Sequence, residues 1–224
     1  MEILFEDNHL IAVNKQVSDI VQKDKSGDVA LEDTVKAYIK KKYQKAGEVF
    51  LGVSHRIDRP VSGVVVFART SKALERINAM FAENGVEKVY WAIVMNKPPE
   101  NEDTLIHFIK RDTEKNKSFA SVKEVPGSKK AITHYKLIGA SDKFFLLEVR
   151  IETGRHHQIR CQLAKIGCPI RGDLKYGFPR SNPDAGISLH ARSIKFKHPV
   201  KNDEIIIKAP LPDDPLWNYF KGLL

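Results

Sequence analysis

Ser54-His-Arg-Ile-Asp-Arg-Pro-Val-Ser-Gly-Val-Val-Val-Phe-Ala-Arg-Thr70 changes character halfway along. His55, Arg56, Asp58 and Arg59 place four ionisable side chains within five positions, and Val64 to Ala68 is wholly apolar. Between the halves stand Pro60, which fixes its own φ, and Gly63, which admits angles other residues avoid. That combination predicts a shaped loop running into a strand. Three consecutive valines in an apolar run suit a strand buried on both faces. The charged loop is then anchored directly to the core, as a site that needs a fixed carboxylate requires. Read locally, the same residues also fit a surface turn in which Asp58 pairs with a neighbouring arginine. The rest of the chain has to decide.

The 224 residues are enough for one sizeable domain, and a hydrophobic content of 42% supports a real core. A net charge of +9, carried by lysines spread along the chain, favours a polyanionic partner met by a broad basic surface. Met1 to Phe5 lacks a basic start, and Asp7, Asn8 and His9 interrupt any apolar core, so no signal peptide is expected. No run approaches the ~20 apolar residues of a membrane span. Cys161 and Cys168 are the only cysteines, too few for a disulfide scaffold, which points to reduced thiols and a cytoplasmic protein.

The periodicity predicts strands at Ile3–Glu6 and Leu10–Asn14, then a polar, irregular stretch to Asp28. Leu31, Val35, Tyr38, Ile39 and Tyr43 share one face of a helix over 31–46 that Gly47 stops. Val49–Val53 leads as a strand into the charged loop. After Val64–Ala68, Thr70 or Ser71 caps a helix with Ala73, Leu74, Ile77, Met80 and Phe81 inward, ended by Asn84-Gly85. Along a strand at Lys88–Met95, Val89, Trp91 and Ile93 face one way and Tyr90, Ala92 and Val94 the other. Residues 100–126 are the most polar and read as a hairpin or insertion packed weakly on the main body. Strands follow at 129–138, 143–152, 188–197 and 204–209, a helix at about 155–166, and a C-terminal segment whose Trp217, Tyr219 and Phe220 cover a core edge. Strands cluster and helices interrupt them irregularly. This is an α+β chain, a mostly antiparallel mixed sheet flanked by helices around a central cleft, in one domain over residues 1–224.

A second charged constellation, Thr153-Gly-Arg-His-His-Gln-Ile-Arg160, sits at the expected start of the 155–166 helix. Arg155 and Arg160 are five residues apart, roughly 140° around a helix, so they cannot serve one contact. His157 and Arg160 share a face. Basic side chains at a helix N-terminus oppose its dipole and need a compensating anion: Asp58, a phosphate, or both.

With these residues in view, the chain resembles the RluA-type pseudouridine synthases. His55-Arg-Ile-Asp-Arg-Pro-Val-Ser-Gly63 is similar to the family's signature loop, Lys88-Val-Tyr-Trp-Ala92 to its tyrosine-bearing strand, and Thr153 to Arg160 to its arginine motif. Gly172-Asp173 with Tyr176-Gly177, and Leu189-His190-Ala191, match two further landmarks in the family's order. Two features depart from the pattern. Lys15 is followed by Gln16, Val17 and Ser18 where a Lys-Pro-x-Gly stretch is usual, and Val61 stands where threonine is frequent. Many relatives also carry an extra N-terminal RNA-binding domain, which the 54 residues ahead of the motif are not expected to supply.

The resemblance implies isomerisation of a uridine within structured RNA, ribosomal or transfer, with no cofactor and no metal, by a monomer. Uracil is detached from its ribose, rotated and rejoined through carbon, so the base must leave its stack. Asp58 is implied as the catalytic carboxylate, acting on the sugar, on the base or as a proton acceptor. Arg160 is implied as the guanidinium that keeps it ionised, with Arg155 the second choice. Tyr90 is implied as the surface on which uracil stacks. Arg56, whose planar guanidinium can stack and donate together, is implied to enter the helix as the base leaves. Arg59, Arg155 and His157 complete the expected RNA contacts, and His55 and His190 are read as structural. Two rival readings stand against this: a non-catalytic RNA-binding module of the same fold, and a metal-dependent hydrolase using His55, Asp58, His156 and His157. The second is disfavoured because adjacent histidines diverge by about 100° on a helix.

Overall fold

The computed structural model describes residues 1–25 and 27–224; Ser26, within the stretch expected to be irregular, lies outside the described residues. In chain order the elements are β1 (Glu2–Glu6), β2 (Leu10–Lys15), α1 (Leu31–Lys42), β3 (Gly52–Val53), β4 (Ser62–Ala68), α2 (Ser71–Ala82), β5 (Glu87–Val94), β6 (Glu102–Asp112), β7 (Lys117–Ser121), β8 (Lys129–Ala140), β9 (Phe145–Ile151), α3 (Gln158–Lys165), a 3-10 turn (Leu174–Tyr176), β10 (Leu189–Lys197), β11 (Glu204–Lys208) and α4 (Pro215–Lys221). This is the α+β class expected. The chain folds as two compact units, one of residues 1–86 and 191–210, the other of 87–190 and 211–224.

In the first unit the strand order is β1-β2-β4-β10, with β3 on β4 and β11 on β10. β4 pairs antiparallel with β2 from Gly63 opposite Lys15 to Ala68 opposite Leu10. Val64, Val66 and Ala68 share one core with Leu10 and Ala12 of β2, Ala73 and Ile77 of α2, and Ile194, Phe196 and Ile207. Val65 and Phe67, on the other face, are also fully buried, as the continuous apolar run requires. Thr70 accepts the Ala73 amide at 3.2 Å and so is the cap of α2. α1 is shorter than its periodicity suggests. Tyr43 ends it and Gln44 turns left-handed at φ 48°, while the Tyr38 and Tyr43 hydroxyls both donate to Glu6 instead of burying their rings. The strand expected over 49–53 is two residues long, though Val49 and Leu51 are buried.

The second unit is built on β5-β9-β8-β6-β7, antiparallel throughout. Residues 100–126 do form a hairpin, β6–β7. It does not pack weakly, however: β6 pairs with β8 from Glu102 to Ile109 and is part of the sheet. Alternation along β5 is as expected. Ile93 and Trp91 meet Trp217, Phe220 and Leu146, while Tyr90 and Ala92 face the other side. α4 starts at the Asp214 cap, which also pairs with Arg171 at 3.2 Å. α3 lies on the opposite sheet face and is pinned by Gln162. That amide donates to the Leu105 carbonyl and to His107, and accepts from Thr133, all within 3.1 Å and all buried. Such a satisfied buried network fixes the helix's rotation and thereby the direction of every side chain it carries. Among the described residues no helix is long and apolar enough to cross a membrane.

Candidate active site

The charged loop of the first unit is held from beneath. Lys15, at the end of β2, is completely buried, and its ammonium donates to the carbonyls of Gln16, Arg59 and Val61 at 2.8, 3.0 and 2.7 Å. Two of these carbonyls belong to the residues one and three places after Asp58. The Asp58 carbonyl accepts the Val61 amide at 3.0 Å and the Arg59 carbonyl also accepts the Ser18 amide, so the turn around the carboxylate is tied at several points. Burial pushes the Lys15 ammonium down to about 8, against the pull of Asp19 and Asp58. At neutral pH it is still charged and uses all three donors. Replacing Lys15 with Met keeps the volume but leaves carbonyls without their donor. The expected loss is at least about 2 kcal/mol, read from urea midpoints, with the loop around Asp58 the first segment to exchange amide protons.

Gly63 makes the loop's junction with β4. Its φ is +119°, and a Cβ there would lie 2.7 Å from both the amide nitrogen and the carbonyl carbon of Ala191. His55 Nε2 accepts the Val66 amide at 3.0 Å, in keeping with a structural histidine. Asp58 itself is half-buried. Arg56 is exposed, and Arg59 is exposed and ion-paired with Asp28 at 2.7 Å.

Tyr90 and Arg160 belong to the second unit. Tyr90 is 9% exposed in the middle of β5, opposite Val149. Arg160 is buried in the first turn of α3. Its Nε and a terminal nitrogen donate to the two carboxylate oxygens of Asp173 at 2.7 and 2.9 Å, a buried bidentate pair. Asp173 is thus an anion answering the dipole conflict of this helix, one that sequence reasoning had not considered. The guanidinium also lies 5.1 Å from the Tyr176 ring centre. Arg155 goes elsewhere: it precedes the helix, is exposed, and donates to the Lys130 carbonyl.

α3 begins later than expected because His157 adopts φ 52°, a left-handed angle that ends any helix before it. Thr153 does not cap it. The Thr153 hydroxyl and the Arg155 amide instead donate to the side chain of Gln158. His157 was expected to meet RNA, but it is buried, stacked on His156 at 3.8 Å and hydrogen-bonded through Nδ1 to the Tyr176 hydroxyl at 2.9 Å. Its role is packing. Burial, reinforced by Arg160, His156, Lys175 and Arg111, pushes its imidazolium down to about 2, so the ring stays neutral and Nδ1 accepts from the tyrosine. A histidine whose folded pKa lies below its unfolded one costs stability as pH falls, because the unfolded chain takes up the proton first. Between pH 7 and pH 5 this amounts to at most about 2 kcal/mol. His157→Gln should flatten that part of the pH–stability profile in urea titrations; an unchanged profile removes His157 from it.

Asp173, Tyr176 and Lys15 are the residues that site prediction missed. The first two lie in quoted landmarks, but nothing in the sequence says what they hold. Among the described residues no three of His, Cys, Asp or Glu are gathered as a metal site needs. His55 and His157, which the hydrolase reading would use, have ring nitrogens committed to Val66 and Tyr176.

Residues 9–165 match the family model described as RNA pseudouridylate synthase. The chain is 32% identical over 224 residues to "Ribosomal large subunit pseudouridine synthase D" of Zymomonas mobilis, covering 96% of this chain and 70% of the relative. It is 32% identical over 235 residues to "tRNA pseudouridine synthase C" of Vibrio parahaemolyticus, covering 95% and 91%. Among solved structures, "Human RNA Pseudouridylate Synthase Domain Containing 4" shares the fold, with a TM-score of 0.81 at 23% identity, covering 99% of this chain and 92% of that one.

Proposed function

We propose how this chain, which belongs to the RNA pseudouridylate synthase family and is an RNA pseudouridine synthase, divides the work among its residues. Asp58 is the catalytic carboxylate. Tyr90 offers its ring to the uracil, and Arg160 keeps the site's anion ionised. Arg56, exposed, enters the RNA helix as the base leaves, and Arg59 and Arg155, also exposed, meet the RNA backbone. Isomerisation breaks the bond from C1′ to N1 and forms one from C1′ to C5; the C5 proton is lost and N1 takes one up. No oxidant or reductant is needed.

The observation that carries this assignment is the Lys15 clamp. A wholly buried ammonium holds the backbone one and three residues after one half-buried carboxylate, an arrangement that supports fixing Asp58 in place. The RNA is ribosomal or transfer RNA, in keeping with the names of the two relatives, met at a stem-loop, and the enzyme acts as a cytoplasmic monomer. Uridine in total RNA tritiated at C5, from cells lacking the gene, tests the activity: the purified protein should release label, and no release from any RNA fraction overturns it. Mapping pseudouridine in the same cells then names the target, and light scattering checks the monomer.

A further inference from the structure

The second unit carries a cleft of about 390 Å³ between the edge strand β7 and helix α3, lined by Lys117, Phe119, Ala164, Lys165, Tyr176 and neighbours. Phe119 is 49% exposed, unusual for a phenylalanine on a strand. The strand period puts Lys117 and Phe119 on one face, with Lys110 directly across from Phe119. The Lys117 ammonium stands between two aromatic rings, 5.7 Å from the centre of Phe119 and 5.2 Å from that of Tyr176. Lys165 supplies a second exposed cation, and Lys175, donating to the Asn116 carbonyl, a third beside it. Among the described residues no acidic side chain lines the cleft. Asp112, across from Lys117 in the register, is turned to the Lys115 amide.

The wall is also rigid. The Tyr176 hydroxyl accepts the Ser118 amide at 2.8 Å and is bound to His157, so ring and strand cannot part without breaking buried hydrogen bonds. Arg160 rests against that same Tyr176 ring.

An exposed flat ring flanked by cations, in a groove free of carboxylates, matches a ligand that is both planar and anionic. We propose that this cleft is a subsite for an unpaired nucleotide of the substrate RNA other than the target uridine, its base on Phe119 and its phosphate against Lys117 and Lys165. The assignment rests on the synthase reading for the identity of the polymer. Stacking on one aromatic is sequence-tolerant, so the subsite recognises an unstacked neighbour and not a particular base.

Hexauridylate (rU6) is the probe, with binding followed by calorimetry and by amide chemical shifts, and catalysis by tritium release. Phe119→Leu keeps an apolar side chain and removes the stacking face. It should weaken rU6 binding about tenfold and raise KM similarly, with kcat unchanged. Phe119→Trp should restore affinity to within about twofold, which a purely structural role would not explain. Lys117→Gln should lower the slope of log affinity against log salt by about 0.7. rU6 binding to Phe119→Leu at wild-type strength, or shifts that leave residues 117–120 and 161–165 unmoved, overturns the subsite. Wild-type protein that binds rU6 here yet releases no tritium from cellular RNA would sink the synthase reading instead.

Discussion

Asp58→Asn will stop tritium release from C5-labelled RNA while RNA affinity stays within a few-fold of wild type. The substitution changes neither size nor shape and removes one charge. Whether the carboxylate attacks the sugar, attacks the base or accepts a proton, the neutral amide can do none of these. The expected loss in kcat is on the order of a thousandfold or more, as for removal of a nucleophile or general base. Binding should survive because it depends on exposed arginines and lysines, not on this acid. The variant should also fold, since the Lys15 clamp engages backbone carbonyls that the change leaves in place. Turnover within tenfold of wild type would take Asp58 out of the chemistry. Loss of binding together with activity would mean that its role lies in shaping the loop.

Asp173→Leu should cost about 3–5 kcal/mol of stability, because it strips a buried guanidinium of its two-oxygen partner. Arg160 and Asp173 are both nearly inaccessible, so water cannot replace the lost bonds. The diagnostic variant is the double one. Arg160→Leu with Asp173→Leu removes the stranded charge, and much of the stability should return, since buried ion pairs are often matched by apolar residues of similar size. Activity should not return, because the proposed mechanism needs the guanidinium. A single variant that loses less than about 1 kcal/mol would show that the buried guanidinium does not depend on Asp173 for its compensation.

The pattern of residues made some features legible and hid others. Three valines in a row announced β4, and alternation along 88–95 told which side of β5 meets the C-terminal aromatics. The motif loop and its carboxylate were visible because proline, glycine and four ionisable groups rarely fall so close together. What stayed hidden depends on contacts distant in sequence. Lys15 stands out in the sequence only as the start of a departure from the family pattern, and only the fold shows that its ammonium is enclosed by carbonyls contributed from residues 59 and 61. The partnership of Arg160 with Asp173 depends on the turn between α3 and Tyr176, whose course local propensity does not dictate. His157 was misjudged for a different reason. Its spacing to Arg160 is that of a shared helix face, but its left-handed backbone puts it before the helix, where the ring turns inward. The hairpin over 100–126 was underrated because its exposed positions are so polar; pairing of β6 with β8 needs only backbone groups and the alternate residues Leu105, His107 and Ile109.

The route of the polypeptide between its two units bears on how it is made. It passes from one to the other after Val86, returns after His190 and leaves again after Pro210. A nascent chain on the ribosome therefore holds β4 without its β10 neighbour throughout the synthesis of residues 87 to 190, leaving a valine-rich edge open to other unfinished chains. Chaperone engagement should be strongest over that interval, and polypeptides stalled before residue 190 should be the aggregation-prone species.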